Sequence, residues 1–179
     1  MEEIEIPTEH LHEEIQEKAE EQKEKWVLYV ALSTAFMAVL AAVAGLLAGH
    51  HANEALIERV KASDQWSFYQ SKNLKEEIAS STDKILHTLS ATPPKEDNSQ
   101  LIARYEKEKG EIKKTAEEAE KSSEWHLSRH VPLATAVTCF QIAIAISAIA
   151  ILTKRKKLWF GGMLLTIVGI VFLLLGIFP

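Results

Sequence analysis

Hydrophobic and charged residues are segregated along this chain rather than mixed. Trp26 to Gly49, Val131 to Thr153 and Leu158 to Phe178 contain no charged residue, and none of the three runs has a polar face. Each exceeds the ~20 residues that a helix needs to cross a bilayer core, so each predicts a transmembrane helix. The first is not a cleaved signal peptide, because its leader is long and acidic and its apolar stretch is too long. From His50 to about Ser90 neither Gly nor Pro interrupts the chain, and Leu74, Ile78, Ile85 and Leu89 mark an apolar stripe. That pattern predicts a helix continuing out of the first span. Thr92-Pro93-Pro94 ends it, since proline lacks the donor and disfavours helix in the residue before it. Asp97, Asn98 or Ser99 then caps a second helix running into the second span. Leu101, Tyr105, Ile112, Ala116 and Ala119 lie on one side of it, and Gly110 interrupts it at modest cost.

The expected fold is an all-α membrane protein with three transmembrane helices and a long extramembrane helical hairpin between the first and second. In order, it has an acidic helical tail (1–25), a first span (26–49) and a coiled-coil-like hairpin (50–130) with its turn near 92–98. A second span (131–153), a basic turn (154–157) and a third span (158–178) follow. The first arm of the hairpin is longer than the second by roughly ten residues. Either a break at Ser80-Ser81-Thr82-Asp83, which can end one helix and cap another, or an offset of the spans in depth absorbs the difference.

Charge fixes an orientation. Residues 1–25 hold ten Glu against three Lys, 50–130 hold fifteen acids against thirteen bases, and 154–157 are all basic. Short basic loops stay on the cytoplasmic side, which places the turn and the N-terminus inside and residues 50–130 and the C-terminus outside. Trp26, Tyr29 and Trp159 sit at span ends, where amphipathic rings favour the interface. No basic patch is interleaved with aromatics, so nucleic acid is not an expected partner. The single cysteine, Cys139, excludes an intramolecular disulfide and reads as a small packing residue.

Small residues permit close helix approach in lipid, where apolar burial gives no drive for association. Ala41, Gly45 and Gly49 recur every four residues in the first span; Gly162, Gly169 and Gly176 recur every seven in the third, with Thr166 on the same stripe. The second span offers Ala136, Ala143, Ala145, Ser147 and Ala148. Such stripes pack the three spans together or join separate copies, and a homo-oligomer is expected. Gln141, with Thr135 and Thr138 on preceding turns, lies near the middle of the second span. An amide in hydrocarbon needs a partner, so Gln141 is expected to face another helix, or else to line a pathway. No span carries a charged residue or a histidine, which argues against a proton-coupled pump.

Two constellations outside the spans bear chemistry. On a helix Gln65, Tyr69 and Lys72 fall along one side and Trp66 and Gln70 on an adjacent one. This mixture suits a helix contact within the hairpin or between copies, or a recognition surface for an envelope or membrane partner. His50, His51 and Glu54 follow the first span, and His126 and His130 precede the second. If the arms meet in register, these five gather at one level as nitrogen and oxygen ligands for zinc or another transition metal. A shifted register sets Asp64 opposite His126 instead. The alternative is a set of interfacial polar residues that titrate near neutral pH. No nucleophile–base set, phosphate-binding glycine loop or carboxylate pair is present, so no enzyme and no obligatory cofactor are expected.

Asn53-Glu54-Ala55-Leu56 with the stretch Ala62-Ser63-Asp64-Gln65-Trp66-Ser67-Phe68-Tyr69-Gln70-Ser71-Lys72, and Phe140-Gln141-Ile142-Ala143-Ile144-Ala145 ahead of the basic turn, resemble a bacterial membrane family known as domain of unknown function 4337. The resemblance covers the chain from about residue 26 to its end. It implies a bacterial inner-membrane protein and brings no activity or site residues. Three roles fit these features: a self-associating scaffold or accessory subunit, a small oligomeric channel, and a metal- or pH-responsive envelope sensor.

Overall fold

The structure, a computed structural model, describes residues 8–89 and 99–178, with side chains from residue 25 onward. The expected turn near 92–98 lies outside the described residues. All described secondary structure is helical: α1 spans Thr8–Leu89, α2 Ser99–Thr153 and α3 Lys156–Ile177. Each contains a stretch long and apolar enough to cross a membrane. Helix α2 carries Pro132 in its interior; proline there has no N–H to donate to the carbonyl four residues earlier. The chain divides into two units, one comprising residues up to Ala48 together with Val131 onward, the other Gly49–His130.

In the first unit the three helices bury narrow seams at alternating three- and four-residue spacing. On α2 these are Leu133, Ala136, Phe140, Ala143, Ser147 and Ala150; on α3 they are Gly162, Thr166, Gly169, Leu173 and Gly176. Spacing of this kind is what knobs-into-holes packing requires. The bulky residues of one seam stand over the glycines of the other. A Cβ on Gly169 would come 2.8 Å from Phe140 Cε1, and one on Gly176 would come 2.5 Å from Leu133 Cγ. The glycine stripe of α3 is therefore an intramolecular contact with α2. Helix α1 enters through Val30, Met37, Ala44 and Ala48, with Ala41 beside them and Gly45 facing Val137. Gly49 has open space where a side chain would be. Trp159, expected as an interface anchor, also donates from Nε1 to Ser33 Oγ at 3.1 Å.

The basic turn is shorter than its three lysines and one arginine imply. Lys154 adopts a left-handed conformation with φ 54°. Lys154 N–H donates to Ile151 O at 3.2 Å and Arg155 N–H to Ala150 O at 3.1 Å. That pair of bonds is a Schellman cap, which satisfies the last carbonyls of α2 and lets α3 start at Lys156.

In the second unit, α1 and α2 contact each other in opposite chain directions. Ser123 Oγ donates to Ala55 O at 2.8 Å, Lys72 pairs with Glu108, and Lys109 Nζ donates to Asn73 Oδ1 at 2.9 Å. Small residues line the contact, with Ala55, Ala62, Ala116 and Ala119 buried. The length difference between the arms is not absorbed by the expected break. Helix α1 runs unbroken through Ser80–Asp83. The contacts keep one register, and residues beyond about Ser80 extend past Ser99, the first residue of α2.

Candidate functional site

Histidines meet where α1 and α2 pair. His51 Nδ1 lies 2.9 Å from His126 Nδ1. The His50 ring centroid is 5.3 Å from that of His51 and 6.3 Å from that of His126. Trp125 stands edge-on to His126 at 4.8 Å and to His51 at 5.7 Å, with the Arg129 guanidinium over its ring at 4.9 Å. The register is thus the aligned one, with His126 opposite His51 rather than Asp64. Among the described residues, however, no group of three or more His, Cys, Asp or Glu side chains is disposed to hold a metal ion. Glu54 is half-buried, and His130 acts on His51 through its charge.

A single proton can lie between two facing Nδ1 atoms; full protonation of both rings places two cations in contact. Burial lowers the pKa of His51, and the charges of His126, His50, Arg129 and His130 lower it further. A depressed histidine pKa means that the folded state favours the neutral ring. Its contribution to stability is complete above 6.5 and is lost as the pH falls through the lowered folded value. Acidification from pH 7.5 to 5 is therefore expected to loosen this end of the pair. Hydrogen exchange of residues 50–58 and 122–130 checks it: exchange accelerates at low pH, and His126→Gln flattens the response. An unchanged exchange pattern would remove the histidines' role.

The aromatic–polar stretch is largely consumed by the pairing of α1 with α2. Lys72 and Lys109 each reach a carboxylate on the other helix, Glu108 and Glu76 respectively. Lys72 Nζ also sits 5.3 Å from the Phe68 ring centroid and 5.4 Å from that of Tyr105, while Lys109 Nζ is 5.8 Å from Tyr69. Hydrogen bonds from Lys72 and Arg104 hold the Glu108 carboxyl below the usual range, and the bond to Glu76 raises Lys109. Trp66 stands edge-on to Tyr69 at 5.6 Å, Gln65 is half-buried, and Gln70 is exposed. Tyr69 and Lys72 therefore face α2 and not an outside partner. The crossed lysine–carboxylate pairs were not anticipated. Their signal was the spacing of Lys72, Asn73 and Glu76, which continues the face of Ala55, Ala62 and Tyr69.

Gln141, expected to face another helix or else to line a pathway, meets no other helix of the first unit among the described residues and is exposed on its outside. The reason is angular: the α2 seam passes through Phe140 and Ala143, and the next residue after Phe140 is turned about 100° away. Thr138, Ala145, Ala148 and Leu152 are exposed on the same side, in a row with Gln141 whose successive spacings are three and four. The Thr135 and Thr138 hydroxyls donate to Val131 O and Ala134 O within their own helix, at 2.9 and 3.0 Å.

A family model described as Domain of unknown function (DUF4337) matches residues 26–179. No curated protein and no solved structure matches the chain.

Proposed function

The chain belongs to the DUF4337 family, which brings no activity with it, and we propose that it is a non-enzymatic integral membrane protein that self-associates in the bilayer as a scaffold or accessory subunit. The carrying observation is the outward-facing Gln141 near the middle of the uncharged run 131–153. In hydrocarbon no water satisfies a carboxamide, and each unmet polar group costs several kcal/mol. No hydrogen bond to another helix reaches Gln141 among the described residues. A carboxamide is both donor and acceptor, so the same side chain on a second copy completes it. Thr138, Ala145 and Ala148 keep the surrounding face shallow, which lets two helices approach.

Large apolar side chains are exposed along the uncharged runs, as lipid contact requires: Leu32, Phe36 and Val39 on α1 and Phe160, Leu164 and Ile167 on α3. The basic turn lies on the cytoplasmic side, with the N-terminus inside and residues 50–130 outside, in a cytoplasmic membrane. Light scattering of the protein in mild detergent, corrected for bound detergent, tests self-association. A mass of two or more 20.0 kDa chains is expected, and a 20.0 kDa particle overturns the proposal. Ion conductance across a reconstituted bilayer would replace the scaffold role with a channel lined by the Gln141 face.

A further inference from the structure

Helix α1 presents a second face that the described residues of its own chain leave uncovered. Outside the first span, Leu56, Val60, Leu74, Ile78 and Ile85 are each more than half exposed. Their spacings, four, fourteen, four and seven, set them on one stripe of a helix, with Ser63 and Ser67 filling the interval. The residues of α1 that meet α2, among them Ala55, Ala62, Tyr69 and Asn73, lie on the opposite side. An apolar stripe along an exposed helix is a partner surface rather than a solvated one.

Three features favour a second copy of this chain as the occupant. Copies inserted in one bilayer share an orientation, so symmetry about the membrane normal brings equal residues of α1 together in parallel and in register. Helix α1 is unbroken from Thr8 to Leu89, so the apolar run and the stripe belong to one helix. Charge then fits self-pairing. Arg59 and Asp64 are exposed on opposite flanks of the stripe, five residues apart, and neither joins an ion pair among the described residues. In a parallel helix pair, flanking residues at that separation meet across the seam. We infer that the outward stripe of α1 from Leu56 to Ile85 is a parallel pairing surface for a second copy, a reading that rests on self-association in the membrane.

Disulfide trapping in native membranes tests the inference. In full-length protein with Cys139→Ala, the single substitutions Ser67→Cys, Leu74→Cys and Ile85→Cys are oxidised with copper phenanthroline and run without reductant. Each is expected to give a covalent dimer, at least fivefold above Glu117→Cys on the exposed side of α2. Arg59→Asp is expected to reduce the Ser67→Cys dimer, and adding Asp64→Arg to restore it. Absence of dimers at all three positions, in a protein whose detergent mass is a multiple of 20.0 kDa, overturns the stripe and leaves self-association standing. A monomeric mass without dimers removes both. Equal dimer yield at Glu117→Cys marks random collision and also overturns the stripe.

Discussion

Replacing Gly169 with leucine is expected to separate α3 from α2, while the same substitution at Gly161 leaves the fold intact. A Cβ at Gly169 would stand 2.8 and 3.0 Å from two Phe140 ring carbons and 3.2 Å from Cys139 Cβ. Phe140 is fully buried, so its ring has no vacant space to move into. Overpacking a filled contact costs about 1–3 kcal/mol, and leucine adds three more carbons beyond the clashing Cβ. Gly169→Ala is expected to fall inside that range and Gly169→Leu above it. At Gly161 nothing lies within 4 Å of the added carbon. Thermal unfolding in detergent checks this: Gly169→Leu lowers the midpoint sharply and Gly161→Leu does not. Equal effects would mean that α3 does not dock on α2 through its glycines.

The second large effect concerns Gln141. Gln141→Leu is expected to weaken association between copies while leaving unfolding of the single chain unchanged, because the amide bonds to no other helix of its own chain among the described residues. Interhelical hydrogen bonds of this kind are worth about 1–2 kcal/mol in model peptides, which corresponds to roughly a 5- to 30-fold change in an association constant. Gln141→Asn, which keeps the amide on a shorter stem, is expected to fall between. Analytical ultracentrifugation in density-matched detergent reads both constants. A variant that loses thermal stability without losing association would place the amide inside the chain's own bundle.

Particular residues show where the sequence was legible. The three uncharged runs announced the apolar segments, because charge is so costly in hydrocarbon that its absence is a signal. The heptad of Gly162, Gly169 and Gly176 announced a close contact but not its partner. Only the placement of Leu133 and Phe140 over those glycines shows that the contact is internal. Which way Gln141 points was hidden for a related reason. Two interleaved heptads run along α2, one through Leu133, Ala136, Phe140 and Ala143, the other through Thr138, Gln141, Ala145 and Ala148. Composition does not say which of them faces inward. The cap at Lys154 was hidden because a lysine occupies a left-handed position that glycine ordinarily fills. The histidine register was legible only as an alternative, since the arms differ in length and α1 absorbs the surplus by extending past α2.

The histidine pair, the crossed lysine–carboxylate contacts and the buried alanines together hold α1 against α2 outside the spans. With that contact in place, the Gln141 face and the stripe from Leu56 to Ile85 remain exposed among the described residues. Both suit the self-association proposed above.

Energy transfer between donor- and acceptor-labelled chains in liposomes tests self-association most directly. With lipid added until random encounters contribute little, transfer is expected to hold a plateau well above the random level and to fall with Gln141→Leu. Transfer that declines with dilution to the value for unassociated chains would contradict the account.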